Sequence, residues 1–240
     1  MLNIKFESTE SIDFISGNTI SYLLIKKYRR SIGLKITKDG LIVHAPIFLS
    51  KKNIKIAITS KQKWIESKLK LIKMNASPFT IKTGQEFNLL GKKITLQLSE
   101  GQKNVYIQNN SCFLSFGDLS KHDKLKRYFI AWLKEYALNY FKKRVDFYST
   151  DNNLLPRKIL LSNAKTKWGS CNSKREIRIN WRLIQSTENI VNYVICHELS
   201  HLKFMNHSQQ FWDLVGEISP DYKETQTQLK LIGLQLYQLD

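Results

Sequence analysis

Residues 194–212 read VICHELSHLKFMNHSQQFW. Four side chains here are of the types that hold metals and move protons: His197, Glu198, His201 and His207. Each helical residue advances ~100°, so His197 and His201, four apart, project from one face on adjacent turns. Two imidazoles so placed reach a single ion at ~2.0–2.1 Å. Glu198 lies beside them, close enough to take a proton from a water without ligating the ion. Ile190 and Val194 continue the histidine face, and Val191, Ile195, Leu199 and Leu202 cover the next one. A helix apolar nearly all round is a buried helix. Burying two histidines and a glutamate without partners is costly. A cation compensates all three, whereas incidental core histidines would leave that cost standing.

His207 follows His201 by six residues, so an uninterrupted helix would turn it about 240° away. The chain must therefore bend between them. Asn206 is a residue type that ends helices in the left-handed conformation, and Ser208 is a good cap for a second helix. Three histidines leave the fourth position open to water, the arrangement of a catalytic zinc.

The elements that would position these groups read as an α+β chain. Runs at 20–27, 31–37 and 41–46 lean to β structure, with the hairpin signal Asp39-Gly40 between the last two. Ser50 precedes an amphipathic helix over 51–74. Strands at 86–91, 92–98, 104–108 and 112–116, separated by Gly91, Gly101 and Asn109-Asn110, suggest an antiparallel run. A long helix over 123–149 is followed by strands at 158–164 and 176–181, joined by KTKWGSCNSK. Helices are expected near 187–205, capped by Ser186, near 209–218 and near 222–232. The division reads as a β-rich portion with one helix, 1–117, and a zinc-hydrolase domain, 118–240. No internal repeat is visible.

Bulk properties narrow the class. A hydrophobic fraction of 42% with 11% aromatics indicates a folded globular protein. No apolar run approaches the ~18–20 residues of a membrane span, and the polar start MLNIKFESTE is unlike a signal peptide. A cytoplasmic protein is expected. Cys112, Cys171 and Cys196 are odd in number and far apart, which argues against a disulfide framework. The net charge is +18. Residues 1–117 carry 19 basic and 7 acidic side chains, 118–183 carry 16 and 6, and 184–240 carry 3 and 7. A basic surface for nucleic acid or another polyanion is one reading. Composition is the other, because the chain is rich in Lys, Ile and Asn together.

Several blocks resemble, in order, the YgjP-like metallopeptidase family, relatives of the SprT-type zincins. They are WGSC (168–171), INWRLI (179–184), YVICHELSHL (193–202), NHSQQFW (206–212) and SPDY (219–222), preceded by IKKYRRSIGLKIT, DGLIVHAP and KQKWI. The resemblance spans about residues 20–235. It implies a zincin-like C-terminal domain with a small sheet and an HExxH helix. It further implies one Zn2+ on His197, His201 and His207, with Glu198 as catalytic base and a peptide or protein as substrate. Arg182, Lys167 and Tyr222, in or beside these blocks, are candidates for transition-state or substrate contacts. Residues 177–181 or the WGSC connection are expected to border the cleft. Cys171 and Cys196 read as packed thiols, and Trp168, Trp181 and Trp212 as packing around the site. Two other functions use the same residues: a zinc-dependent hydrolase of nucleotide phosphoanhydrides, and a protease module associated with nucleic acid.

Overall fold

The computed structural model describes residues 6–37, 39–74, 79–233 and 235–239. By its contacts the chain divides into two units, Met1–Ser77 and Pro78–Asp240.

The first unit holds strands β1 (Phe6–Asp13), β2 (Thr19–Lys27), β3 (Gly33–Thr37) and β4 (Gly40–Pro46), then helices α1 (Lys51–Thr59) and α2 (Gln62–Met74). Sheet order is β1-β2-β4-β3, with β2 and β4 parallel and the outer pairs antiparallel. The β3–β4 hairpin turns at Asp39-Gly40, where Gly40 has a φ of +123° that L residues avoid. Leu41, Val43 and Ala45 alternate along β4 onto one buried face. They share a core with Ile54 and Ile58 of α1 and Ile65 of α2. The single helix expected over 51–74 is two. Ser50 caps α1 through Asn53 N–H. At its end Ser60 Oγ donates to the Ala57 carbonyl and Lys61 N–H to that of Ile58, so the ladder tightens and stops.

The second unit begins with β5 (Glu86–Leu89), β6 (Lys92–Glu100), β7 (Asn104–Gln108), β8 (Ser111–Phe116) and the 30-residue α3 (His122–Asp151). Next come β9 (Lys158–Ser162), β10 (Gly169–Cys171), β11 (Glu176–Asn180) and a 3₁₀ turn, Trp181–Gln185. Helices α4 (Glu188–Ser200), α5 (Gln209–Ile218) and α6 (Tyr222–Ile232) follow. The sheets run β5-β6-β8-β7 and β10-β11-β9. The strands over 86–116 are not an antiparallel run throughout, because β6 and β8 pair in parallel and β7 turns back from the outer edge. Order and pairing senses repeat those of the first sheet, a duplication of topology that the sequence does not display.

The expected division after residue 117 also differs from the observed one. The β5–β8 sheet packs its apolar face on α3. Phe129 of α3 stacks on Phe79 at 5.8 Å and meets Phe87 edge-on at 5.1 Å. Leu96, Leu114, Leu133 and the apolar residues of α4 belong to the same core. Leu90 N–H also donates to the Ile184 carbonyl at 2.7 Å, tying the β5–β6 turn to the segment before α4. Among the described residues no helix is long and apolar enough to cross a membrane.

Phe129 joins the sheet to the long helix, so Phe129→Ala is expected to destabilise this unit by about 3–5 kcal/mol. Denaturant unfolding followed by tryptophan fluorescence measures it. A loss under about 1 kcal/mol would mean that the sheet does not share the helix's core.

Candidate active site

Four of the five segments that build the site are consecutive. Thr187 occupies the N-cap of α4, and Ser186 instead donates its hydroxyl to the Leu183 carbonyl, closing the 3₁₀ turn. Ile190, Val191, Val194, Ile195, Cys196 and Leu199 are buried, so α4 runs through the interior as its composition requires. It carries His197 and Glu198 and ends at His201. Asn206 does not take the left-handed conformation expected of it. The helix unwinds instead through short turns, in which Leu202, Lys203 and Phe204 N–H groups return to Leu199 and Ser200 carbonyls. Ser208 then caps α5, its hydroxyl accepting from Phe211 N–H.

This bend brings the three histidines together. One ring nitrogen from each lies within 4.8 Å of the others. Nε2 of His197 and Nε2 of His207 stand 3.1 Å apart. Two nitrogens sharing one tetrahedral zinc at ~2.0–2.1 Å would be separated by ~3.3 Å. His201 Nδ1 lies 3.0 Å from the Phe204 carbonyl. A carbonyl only accepts, so Nδ1 carries the proton and Nε2 keeps its lone pair. The ring of Phe211 lies 5.0, 4.5 and 4.7 Å from those of His197, His201 and His207, forming a common floor. Trp212 stacks on His207, and Tyr222 stacks on Trp212. Tyr193 meets the edge of His197 and accepts a hydrogen bond from Gln226.

The electrostatics suit a cation. Burial pushes His197 down to about 3, with His201 and His207 adding to the shift. Burial also lowers His201, against the opposing bond to Phe204. Both rings are therefore neutral at pH 7, as metal ligands must be. Burial pushes the Glu198 carboxyl up to about 8, while Lys167 pulls it the other way. Glu198 Oε2 and His197 Nδ1 are buried with no hydrogen-bond partner among the described residues. Three imidazoles facing one point, beside an orphaned carboxylate oxygen, fit zinc or a similar divalent ion.

The fifth segment, β10, lies in the WGSC connection expected to border the cleft; its sequence reads as a connection, whereas it is a strand. A Cβ on Gly169 would fall 2.4 Å from Glu198 Oε1, so the bare backbone of this strand lies directly against the carboxylate. β10 is an edge strand antiparallel to β11. Asn180 N–H donates to the Trp168 carbonyl and Asn172 N–H to that of Glu176. Residues 168, 170 and 172 thus bond inward, and the backbone groups of Gly169 and Cys171 face the open edge. Ile177 and Ile179, expected near the cleft, are buried in the middle strand. Asn180, fully buried, donates to the carbonyls of Ala164 and Lys167 and accepts from Arg182 N–H, holding the segment that leads into β10.

The three further candidates separate. Lys167 is exposed and close enough to act on Glu198. Tyr222 is half-buried behind Trp212. Arg182 is buried, its guanidinium over the rings of Trp181 and Tyr237, and it lines a cavity to which none of the histidines contributes. The Cys171 thiol is raised to about 11, by burial and then by Glu198; burial raises Cys196 to about 12.

Neutral imidazoles converging beside a buried carboxylate, one residue along the same helix, mark metal-dependent peptidases as a class. The chain belongs to the YgjP-like family: the model described as YgjP-like, metallopeptidase domain, matches residues 30–231. It is a zinc metallopeptidase by that membership. Among solved structures it is similar to the metallopeptidase zymogen of Methanocaldococcus jannaschii jannalysin, at 24% identity. That match covers 38% of this chain and 97% of the other, with a TM-score of 0.32. No curated protein matches.

The two perturbed groups set opposite pH limits on the metal-free protein. His197 is lowered from 6.5 to about 3, so the unfolded chain takes up a proton across that window that the folded one refuses. Stability therefore falls as pH drops through it. Glu198 is raised from 4.5 to about 8, so the folded chain keeps a proton that the unfolded one releases, and stability falls as pH rises. Chelator-stripped protein is expected to lose on the order of a few kcal/mol between pH 6 and 8.5, with Glu198→Gln losing little. Thermal midpoints across pH 4–9 measure this, and identical alkaline slopes would contradict the assignment.

Proposed function

We propose that His197, His201 and His207 hold one zinc ion and that Glu198 is the general base for hydrolysis of an extended peptide lying along β10. The observation that carries this reading is the contact between Glu198 and the open-edged backbone at Gly169. Zinc bound there supplies a Lewis acid for the scissile carbonyl and lowers the pKa of the attacking water. The chain's own residues do the rest. The free N–H and C=O groups at positions 169 and 171 pair with substrate main chain, as an added strand does. This aligns the scissile bond beside Glu198, whatever the side chains. Glu198 accepts the proton of the attacking water and delivers it to the leaving amine.

Glu198, neutral by burial in the metal-free protein, would be ionised with a cation held by the neighbouring histidines. Lys167 works in the same direction, and its nearness to Glu198 supports it, among the three candidates, as the group that stabilises the developing oxyanion. Arg182 is committed to the aromatic pair Trp181 and Tyr237. The main-chain mode of recognition favours peptides over nucleotide phosphoanhydrides, which have no strand to add.

In a mass-spectrometric assay with carboxymethylated casein, the zinc-loaded chain is expected to release fragments. Glu198→Gln should keep its zinc by elemental analysis while cleavage falls by about 10²–10⁴-fold. Cleavage at the native rate would remove Glu198 from the chemistry.

Gly169→Ala tests the edge strand. Its methyl must displace either β10 or the Glu198 carboxylate, and a shift of ~1 Å costs about 10²-fold in rate. Zinc content should not change. Undiminished turnover in that variant would argue against β10 as the substrate's neighbour.

A further inference from the structure

The helices of the first unit do not fully roof the inner face of its sheet. Leu34 and Ile36 of β3 pair with Val43 and Leu41 of β4, so all four side chains point to one face. Val43 and Leu41 are buried, whereas Leu34 and Ile36, on the outer strand, are only half-buried. A recess of about 480 Å³ opens there, lined by Ile32, Leu34, Ala57 and Trp64 and by the α1–α2 elbow at Ser60 and Lys61. Two further recesses, of about 680 and 620 Å³, meet at the same elbow. Ser60 lines all three, and Trp64 lines the first two. Ile15 and Ile56, 93% and 59% exposed, extend the apolar surface into the second and third. A contiguous exposed apolar patch of this kind marks an interaction surface.

The patch is preformed. The β1–β2 turn that carries Ile15 closes through Phe14 N–H to the Asn18 carbonyl and Gly17 N–H to the Phe14 carbonyl. Ser16 and Asn18 of this turn donate their side chains to the Glu66 carboxylate of α2, as does Gln62. Turn and helix are thus joined, and little ordering entropy is left to lose on binding. Lysines surround the apolar part. Lys61 lines the first two recesses, Lys63 the second, and Lys52 and Lys55 the third. Lys52, Lys61 and Lys63 form no ion pair among the described residues. Glu66 is the one carboxylate among the described residues lining these recesses, and the turn already holds it.

We infer that the α1–α2 elbow docks an acidic segment of a partner protein, which sets a bulky apolar side chain beside Trp64 and carboxylates against the surrounding lysines. Apolar walls inside a cationic rim match an apolar anchor flanked by acidic residues. Tryptophan is among the residue types that dominate such contacts. The recesses favour a protein over a lipid surface, which has no side chain to place in them.

The test begins with selection of a random phage-displayed peptide library on the zinc-loaded full chain, followed by titration of the enriched peptides by fluorescence anisotropy at physiological salt. Enriched sequences are expected to place Phe, Trp or Leu among Asp and Glu. Trp64→Ala, and separately the double variant Lys61→Glu, Lys63→Glu, should each weaken binding by at least tenfold with an unchanged circular dichroism spectrum. No enrichment, enriched peptides lacking acidic residues, or full affinity in either variant would overturn the proposal. Displacement of the peptide by phosphatidylglycerol vesicles would also overturn it, by assigning the patch to a membrane. The patch uses none of the metal-site residues, so its failure leaves the peptidase reading standing, and the reverse holds too.

Discussion

Glu198 and His197 project from a helix whose other faces are hydrocarbon, and each keeps a buried polar atom with no partner among the described residues. An unsatisfied buried group of this kind costs about 1–3 kcal/mol, and more where it carries charge. The protein therefore holds these groups in their neutral states: burial keeps His197 unprotonated and pushes Glu198 toward its acid form. A divalent cation in the proposed site would not reach His197 Nδ1, which lies on the other edge of the ring from the Nε2 that faces His207. It would take the lone pairs that the imidazoles offer and would favour the ionised form of Glu198. The site is thus unfavourable for folding in the same respect in which it is suited to a metal.

What surrounds the helix serves to hold that strained pair in register. The Phe204 carbonyl selects the His201 tautomer, and the Phe211 ring supports all three imidazoles from one side. On the opposite flank Asn180 fastens the segment before β10 by two carbonyls, so that a glycine backbone meets the Glu198 side chain at van der Waals range. These supports come from backbone atoms or from residues with no chemistry of their own. They set a helix carrying reactive groups against an edge strand, which has a direction.

The fold was legible where burial imposes a period. The β-leaning run at 41–46, the long helix over 123–149 and the caps Ser50 and Ser208 all stand in the structure as expected. It was illegible where backbone pairing alone determines the element. Strand β1, FESTESID, pairs with β2 over its whole length, yet Ile12 is its one buried residue, so it shows no apolar alternation. The parallel pairing of β6 with β8 is hidden for another reason: tight turns on both sides of β7 look alike whether the returning strand lies beside β7 only or slips between it and β6. That ambiguity also concealed the repeated topology of the two sheets. The boundary at residue 117 followed a change from strand to helix, whereas the real division follows the core that Phe129 shares with Phe79 and Phe87.

The site shows the same limit in sharper form. Spacing on a helix suffices to place His197 and His201 side by side, because 3.6 residues per turn leaves them no alternative. His207 required a bend whose existence followed from the need for a third ligand but whose form did not. The turn is made by 3₁₀ hydrogen bonds to Leu199 and Ser200, and Asn206 keeps an ordinary conformation. Gly169 had no signal at all in composition or period, since its role is to lack a side chain where Glu198 needs the space. A glycine inside WGSC, next to a short strand, is where such an absence should be sought: a residue that contributes nothing to a core is placed there either for its backbone angles or for what must come close. At φ values any residue adopts, as Gly169 is not among the positive-φ glycines, only the second reason remains.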